Sequence, residues 1–259
     1  MPHHSIYSWF GYPIPMEEGC KLIKAAGFDG VMLFWSADQF DSDVDLAGKN
    51  GLLIENVHAP FEDINCLWDN GVAGDECEGK LAQCIMGCSR FEISTAVLHV
   101  TQGDNPPPWN EIGLARLKRL TDLAQKAGVN LALENLRRPE YLDFIYGRIS
   151  SPRLGFCYDS GHENCYTRGK DLLAKYGSKL MALHLHDNDG SADQHQIPGD
   201  GGIDWNGLTQ KLDQIGYLGP GSLEVIKAFS GKSIDETPQH YLQRAFAAAQ
   251  QLSVFNRGR

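Results

Sequence analysis

Short apolar segments alternate with helical segments along the whole chain, and this alternation constrains the fold more than any other feature of the sequence. Eight apolar segments, several of them continuous runs, have the pattern of strands that are buried on both faces. The predicted strands are residues 5–9, 30–35, 52–58, 96–101, 130–134, 154–159, 181–186 and 222–225. Parallel strands need long crossovers between them, so this order predicts a parallel sheet with helical connections.

The segments between the strands have the spacing of helices. In the clearest of them, residues 109–127, leucines at 114, 117, 120 and 123 form one apolar face, and Gly128 ends the helix. The other predicted helices are residues 16–26, 46–51, 76–90, 140–146, 170–176, 205–215 and 238–252. This alternation over 259 residues predicts an α/β fold, a single (β/α)8 TIM barrel that forms one domain from 1–259. An open doubly wound sheet is the alternative, although no glycine-rich dinucleotide motif follows the first strand.

The composition narrows the possible classes of function. The chain has 23 Lys and Arg against 33 Asp and Glu, a net charge of -10, which disfavours a nucleic-acid partner. No apolar run is long enough to span a membrane, and the N-terminus lacks the pattern of a secretion signal. The seven cysteines are scattered without a C-x-x-C pair, which predicts free thiols and a cytoplasmic location. The sequence leaves a homo-oligomer open.

Acidic and imidazole side chains stand at the ends of consecutive predicted strands. These residues are His58, His99, Glu134, Asp159, His162, His184, His186, Asp187 and Glu224. In a closed barrel the strand ends converge on one mouth, where barrel enzymes keep their active sites. Carboxylates and imidazoles crowded together repel or stay unpaired unless a cation joins them, and such mixed ligands suit Mn, Mg, Co, Fe or Zn. The sequence therefore predicts a divalent-metal site at the mouth.

Each of these residues alone also has a structural interpretation. A strand-end histidine is often only hydrogen-bonded, and Asp159 also suits the capping position of a helix. His184 and His186 point to the same side of a strand, so one is expected to bind metal and the other to lie behind it or face the substrate. Asp193 and His195 lie in a polar loop that also has the composition of an exposed turn.

Five motifs together give the chain a family resemblance. They are ALEN at 132–135, YDSGH at 158–162, LHLHDN at 183–188, PGDGGIDW at 198–205 and SLEV at 222–225. With these motifs the chain resembles the xylose isomerase-like TIM barrel superfamily of sugar phosphate isomerases and epimerases. The resemblance covers nearly the whole chain and implies a barrel enzyme with a divalent metal ion, such as Mn, Mg, Co or Zn.

The ketose 3-epimerase branch of this superfamily holds one metal ion with side chains from successive strands. The ligands that the resemblance implies here are Glu134, Asp159, His184 and Glu224. It also implies that Glu140, six residues after the first ligand, and His162 of the D-x-x-H motif contact the substrate. The arginine that this branch carries after its histidine ligand is missing, and residues 188–190 read Asn-Asp-Gly instead.

The chain has a second resemblance, to the endonuclease IV branch, which holds three zinc ions. The additional ligands of that branch match these residues: His58, His99, His162, Asp193 and His195. The acidic net charge and the lack of basic loops argue against an activity on DNA.

Two functions follow from these residues and resemblances. The first is a metal-dependent isomerase or epimerase of a sugar or sugar phosphate, in which Glu134 and Glu224 move a proton alpha to a carbonyl. His58, His99 and His186 are expected to contact the substrate. The aromatic residues that either wall a sugar or pack in the core are Trp9, Trp35, Phe61 and Trp68. The alternative function is a zinc phosphodiesterase that acts at abasic DNA.

Overall fold

The computed structural model describes residues 4–231 and 235–252. Within these ranges the strands are β1 (His4–Tyr7), β2 (Gly30–Phe34), β3 (Leu53–His58), β4 (Thr95–Leu98), β5 (Asn130–Glu134), β6 (Leu154–Asp159), β7 (Leu180–His184) and β8 (Gly221–Leu223). The α-helices are α1 (Met16–Ala26), α2 (Phe40–Lys49), α3 (Val72–Arg90), α4 (Glu111–Ala127), α5 (Glu140–Tyr146), α6 (Ser160–Tyr166), α7 (Leu172–Tyr176), α8 (Trp205–Ile215) and α9 (Pro238–Gln251). Strands and helices alternate along the chain, as the sequence predicts.

The strands form one sheet that closes on itself. Their order is β7-β6-β5-β4-β3-β2-β1-β8, and neighbouring strands are parallel. The two edges meet where the Leu185 N–H donates to the Ser222 carbonyl at 2.8 Å and the Glu224 N–H donates to the Leu185 carbonyl at 2.9 Å. The fold is therefore the predicted (β/α)8 barrel.

The largest apolar core lies between the outside of the barrel and the helices. Helix α4 contributes Leu117 and Leu120, each 1% exposed, which are on the face that the leucine spacing predicts. This helix begins at Glu111 rather than at 109, because the Asn110 side chain caps it by accepting the first free backbone N–H groups. It ends at Gly128, whose φ of 75° is easily reached without a side chain.

The inside of the barrel determines where the polar strand ends lie. Small apolar residues fill the inside of four neighbouring strands: Val97, Ala132, Cys157 and Ala182. Side chains two positions apart on a strand point to the same side. The residues two positions further on, which also point inward, are His99, Glu134, Asp159 and His184. Strand periodicity thus places one ligand-type side chain from each of these strands at the top of the barrel.

Several predicted boundaries are wrong in detail. Helix α2 begins at Phe40, well before the predicted 46–51, because the buried Phe40 ring packs on Trp35 at 4.4 Å between centroids. Strand β4 ends at Leu98 rather than at 101. The sequence does not predict α6, whose seven residues lack an apolar period and which begins because Asp159 accepts the His162 N–H at 2.6 Å.

Two predictions from composition can be compared with the structure. All seven cysteines are free thiols, as the absence of a pairing pattern predicts. None of the helices in the described part of the chain has the length and apolar character needed to cross a membrane. The organisation of 1–259 as one domain stays a prediction.

Candidate metal centre

Four of the predicted ligand residues converge at the mouth of the barrel. Glu134 ends β5, Asp159 ends β6, His184 ends β7 and Glu224 follows β8. One ligand atom from each of these residues lies within 4.8 Å of the other three, and we call this group the four-ligand cluster. Asp159 and His184 have no exposed surface, and the two glutamates are also buried.

Motif residues next to the cluster hold the strand ends in register. Asn135 of the ALEN motif donates to the Asp159 carbonyl at 2.8 Å and accepts the Asp159 N–H at 2.7 Å. The Ser160 hydroxyl donates to the His186 carbonyl at 2.7 Å and accepts the His186 N–H at 3.0 Å. A Cβ atom at Gly161 would collide with the His186 ring, which explains the glycine of the YDSGH motif. These contacts fix β5 to β6 and β6 to β7 at the level of the cluster.

Glu134 contacts four imidazole rings. Its Oε2 lies 3.1 Å from His99 Nε2 and 3.3 Å from His58 Nε2. Its Oε1 lies 3.3 Å from His162 Nδ1 and 3.5 Å from His184 Nδ1. Burial by itself would raise the pKa of this carboxyl, but the neighbouring rings, His184 and His99 first, hold the pKa well below its usual range. Glu134 is therefore an ionised carboxylate.

Several buried polar atoms at the mouth have no hydrogen-bond partner of good geometry among the described residues. These atoms are Glu134 Oε1, His99 Nδ1, His162 Nδ1, His184 Nδ1, His186 Nδ1 and Asp193 Oδ1. Unpaired buried polar atoms are costly, and a cation that takes such atoms as ligands removes the cost. Carboxylate oxygens and imidazole nitrogens together suit a divalent ion. The residues at the mouth therefore fit the predicted metal.

Oxygen atoms behind the rings orient three of the imidazoles. His58 Nδ1 lies 2.7 Å from the carbonyl of the next residue, and His195 Nδ1 lies 2.8 Å from the Glu224 carbonyl. A ring nitrogen must carry a proton to bond a carbonyl, so in the neutral form of each ring, which is the form that binds a metal, Nε2 carries the lone pair. In the same way, the 3.3 Å contact from His184 Nε2 to Asn56 Oδ1 leaves His184 Nδ1 for the cluster.

Two further groups of ligand-type residues border the four-ligand cluster. The first is His58, His99 and Glu134, and the second is His186, Asp193 and His195. Within each group the ligand atoms lie within 4.8 Å of one another. His162 lies beside the second group, with its Nε2 3.1 Å from Asp193 Oδ2. Every metal-type position that the resemblances imply therefore lies at this mouth, and the individual roles stay predictions.

The two histidines of the LHLHDN motif belong to different groups of ligand-type residues. His184 belongs to the four-ligand cluster, whereas His186 belongs to the second group. The Nε2 of His186 lies 3.1 Å from Asp159 Oδ1, and His186 is not part of the four-ligand cluster. This placement agrees with His184 as the predicted ligand.

Glu140 does not reach the mouth. Its side chain is 43% exposed, and its carboxylate lies 3.1 Å from Lys170 Nζ and 3.5 Å from Arg138 Nε. A pocket of about 240 Å³ lies over the cluster, and Leu136 and Arg137 line it on this side. The structure therefore gives no support to the predicted substrate contact from Glu140, because two cations hold its carboxylate outside the pocket.

The four aromatic candidates divide between the pocket and the core. Phe61 lines the pocket, and its ring stacks on His99 at 4.5 Å between centroids. Trp35 and Trp68 are buried in the main apolar core instead. Trp9 is 45% exposed and is not part of this lining.

The sequence analysis misses several residues of the pocket lining, and two of them contact each other. Arg137 and Tyr166 line the pocket together, and Arg137 lies over the Tyr166 ring. A signal for Tyr166 exists in the sequence, since it follows His162 by four positions and so shares its face on α6. No comparable signal distinguishes Arg137 from the adjacent Arg138.

A buried carboxylate holds the loop between β7 and α8. Asp187 has no exposed surface and accepts N–H groups from Gly199 at 2.8 Å, from Ile203 at 3.1 Å and from the Trp205 indole at 2.8 Å. This loop carries the acidic residue of the second group, Asp193. The PGDGGIDW motif is therefore folded around Asp187, a role that the sequence does not reveal.

The Asp187→Asn variant is expected to lose about 3 kcal/mol of unfolding free energy. An amide oxygen cannot accept hydrogen bonds from all these N–H groups, and each hydrogen bond to a charged group is worth ~1.5–3 kcal/mol. The melting temperature should fall by roughly 6–12 °C for a chain of this size. Asp189→Asn in the same loop is the matched control, since the Asp189 carboxylate is exposed and its hydrogen-bond partners, Ser191 and Gln194, belong to the same loop. Urea unfolding measures both variants, and equal losses would contradict the role of Asp187.

The barrel and its mouth define a class of protein in which buried acidic and imidazole side chains converge at the carboxyl ends of parallel strands. The chain belongs to the xylose isomerase-like TIM barrel family, whose family model matches residues 20–244. The matched segment contains all residues of the four-ligand cluster and of the two groups beside it. The family resemblance carried by the five motifs is therefore confirmed.

Three known proteins illustrate the relationship. An uncharacterized protein of Methanocaldococcus jannaschii is 29% identical over 188 residues, which cover 65% of this chain and 63% of that protein. The fructoselysine 3-epimerase of Shigella flexneri is 28% identical over 140 residues, 50% of this chain and 48% of the epimerase. The match therefore spans less than two thirds of the length of each of these two relatives. The structure of an L-ribulose 3-epimerase superposes with a TM-score of 0.79 at 18% identity, covering 99% of this chain and 96% of that one, which is a likeness of fold.

Proposed function

We propose that this protein is a divalent-metal-dependent isomerase or epimerase that moves a proton alpha to the carbonyl of a sugar or sugar phosphate. The observation that carries the proposal is the convergence of Glu134, Asp159, His184 and Glu224 within 4.8 Å. The family, and the similarity to proteins named as 3-epimerases, support it. These four residues would hold the metal ion, which when bound polarises a carbonyl group.

Glu134 and Glu224 are the proposed acid and base. They come from β5 and from the end of β8, and both lie near His184 Nδ1, at 3.5 Å and 3.3 Å. Burial by itself would raise the pKa of Glu224, but His184 holds it well below its usual range, so both glutamates are ionised. Two carboxylates that approach one pocket from different strands suit a transfer with one removal and one return of a proton.

The proposed reaction removes one proton from the substrate and returns one proton to it. One carboxylate takes the proton alpha to the carbonyl, and the electron pair of the broken C–H bond moves toward the carbonyl oxygen. The other glutamate, also ionised at the start, takes up one proton from water and returns it to the opposite face of the same carbon or to the neighbouring carbon, and the first glutamate then releases its proton to water. The first outcome is epimerisation and the second is isomerisation. His58, His99, His162 and His186 would contact the hydroxyl groups of the substrate.

Washout of the alpha hydrogen tests this proposal. In deuterated water, the metal-loaded protein is expected to replace the alpha hydrogen of its substrate with deuterium, and proton NMR records the loss of that signal. A panel of ketoses, inositol derivatives and sugar phosphates covers the substrate classes. Product that forms with its original hydrogen fully retained would rule out exchange through these carboxylates.

A second candidate function is a zinc phosphodiesterase that acts at abasic DNA. Two further ligand groups next to the four-ligand cluster favour it, because they offer room for additional ions. The charge of the site argues against an activity on DNA. Among the described residues that line the pocket, Arg137 is the only basic side chain of the Lys or Arg type. A duplex normally meets several such side chains at its phosphates.

Metal counting separates the two candidates. Three zinc ions per chain together with cleavage of an abasic duplex would favour the phosphodiesterase. One Mn, Mg or Co ion per chain together with washout of an alpha hydrogen would favour the isomerase or epimerase. Plasma mass spectrometry of the purified protein gives the count, and a fluorescent abasic duplex gives the cleavage rate.

A further inference from the structure

The pocket over the four-ligand cluster has a guanidinium on the side where the resemblance implies a carboxylate. Glu140 does not line the pocket, and its carboxylate lies beside Lys170 and Arg138. Arg137, three residues earlier, lines the pocket, and 38% of its side chain is exposed. The chain therefore presents a positive group at this place in the pocket rather than a negative one.

Tyr166 positions this guanidinium. Arg137 Cζ lies 3.7 Å from the centroid of the Tyr166 ring, and Arg137 Nη2 donates to the Tyr166 hydroxyl at 3.0 Å. The Tyr166 ring stacks on His162 at 5.5 Å between centroids, and His162 Nδ1 lies 3.3 Å from Glu134 Oε1. A continuous series of contacts thus connects the guanidinium to the four-ligand cluster. Stacking on an aromatic face restricts an arginine without using its in-plane donors.

Most donors of the guanidinium stay available to a ligand. Within residues 4–231 and 235–252, the hydrogen bond to Tyr166 is the only one that Arg137 donates. Asp104 Oδ1 lies 3.3 Å from Arg137 Nη1, but the Asp104 side chain is 78% exposed, and such exposed pairs contribute little. A guanidinium has five N–H donors in a planar fork that matches a carboxylate or a phosphate.

We propose that Arg137 is a specificity-determining residue that binds an anionic group of the substrate, a carboxylate or a phosphate. The inference rests on the proposed isomerase or epimerase function and names the class of substrate, which is a sugar acid or a sugar phosphate rather than a neutral sugar. The carbonyl end of the substrate lies over the four-ligand cluster, and its anionic group lies against the Arg137 fork. The carboxylates of the cluster would repel that group, so the substrate has one orientation in the pocket.

Matched substrates and matched variants test the inference. Washout of the alpha hydrogen is measured for neutral ketoses, their phosphate esters and the corresponding sugar acids, with metal-loaded wild-type protein, Arg137→Gln, Arg137→Lys and Arg138→Gln. Arg137→Gln is expected to lose roughly 10- to 100-fold in kcat/KM on the anionic substrate, mainly through KM, because it loses charge-assisted hydrogen bonds. Arg137→Lys should recover part of this loss, since it keeps the charge without the fork.

The control and the substrate series decide between the outcomes. Arg138→Gln removes an arginine that does not line the pocket and leaves Lys170 paired with Glu140, so its kinetics should match those of the wild-type protein. If the wild-type protein prefers phosphate esters, the group that Arg137 binds is a phosphate. If it prefers sugar acids, that group is a carboxylate. Wild-type protein that prefers neutral ketoses, with Arg137→Gln unchanged, would overturn the inference.

Anion binding tests the subsite separately from the chemistry. Isothermal titration calorimetry of the metal-loaded protein measures the affinity for inorganic phosphate and for acetate. If the affinity for either anion falls roughly tenfold or more in Arg137→Gln at equal metal content, the anion subsite is supported. This holds even if no compound in the panel exchanges its alpha hydrogen. In that case the proposed proton transfer fails and the anion site stands. Equal affinities in both proteins overturn the subsite even where washout succeeds.

Discussion

The Glu134→Gln variant is expected to turn over its substrate roughly 10³-fold more slowly than the wild-type protein, since positioned acid–base groups contribute ~10²–10⁴-fold. Glutamine keeps the shape of the side chain, but it cannot take a proton at neutral pH. The carboxylate that it replaces is 1% exposed and contacts rings from β3, β4, β7 and α6. The loss should therefore appear in kcat as well as in metal affinity.

Measurements at saturating metal separate these two effects. Rates of alpha-hydrogen washout are recorded at several concentrations of the ion, and metal content is measured on the same samples. Glu17→Gln is the matched control, because Glu17 lies on the surface of α1, where it pairs with Lys21, so the rate of this variant should stay within about twofold of wild type. Full turnover by Glu134→Gln with bound metal would remove Glu134 from the mechanism.

Removal of the metal is expected to abolish turnover and to lower the stability of the barrel. Two atoms of the four-ligand cluster, Glu134 Oε1 and His184 Nδ1, are buried and lack good partners among the described residues, so the apo cluster keeps an electrostatic cost that the ion removes. A ligand present at 100 times its Kd stabilises a protein by ~2.7 kcal/mol, which for this chain length is roughly 5–11 °C in Tm. Chelation followed by stepwise addition of Mn, Mg, Co or Zn measures both activity and Tm. Turnover that persists in protein free of metal would contradict the proposed function.

The affinity for the ion should rise with pH. Burial by itself would lower the pKa of His184, but its contact with Cys157 and the negative charges of Glu224 and Glu134 raise the pKa well above its usual range. Below that raised pKa the ring of the metal-free protein holds a proton, whereas a metal ligand must be a neutral imidazole. Binding therefore displaces a proton, and affinity should increase about tenfold per pH unit for each proton displaced. Calorimetry in buffers with different heats of ionisation counts the protons released.

The sequence by itself predicted the fold and most members of the site. Alternating strand and helix patterns fix a parallel barrel, and a parallel barrel brings all strand ends to one mouth. The ends of β5, β6 and β7 could be found because each ligand-type residue follows a buried apolar run. Strand periodicity agrees with Glu134, Asp159 and His184, since each lies two positions after a small residue that faces the barrel interior, but it was the resemblance that selected them among the strand-end residues.

The sequence could not decide contacts made beyond the strands. Asp187 looks like one more strand-end acid in the LHLHDN motif, yet its carboxylate bonds backbone groups more than ten residues away. His184 and His186 have the same side-chain direction in an ideal strand, but β7 ends at His184 and the two rings join different groups. The contacts of Asp187 and the separation of the two histidines both depend on the path of the loop after β7. The residues next to them in the sequence do not determine that path.

The pocket wall next to β5 gives the sharpest contrast between sequence and tertiary structure. The resemblance selects Glu140, six residues after the first ligand, because distance along a motif is a local property of the chain. The side chain that lines the pocket is Arg137, because α5 begins at Glu140 and Lys170 and Arg138 hold that carboxylate on the outside, while Tyr166 of α6 supports the arginine. The sequence therefore determined the barrel and its acidic mouth through periodic local patterns. Only the tertiary structure decided which loop side chains complete the pocket, because that choice depends on partners from distant segments.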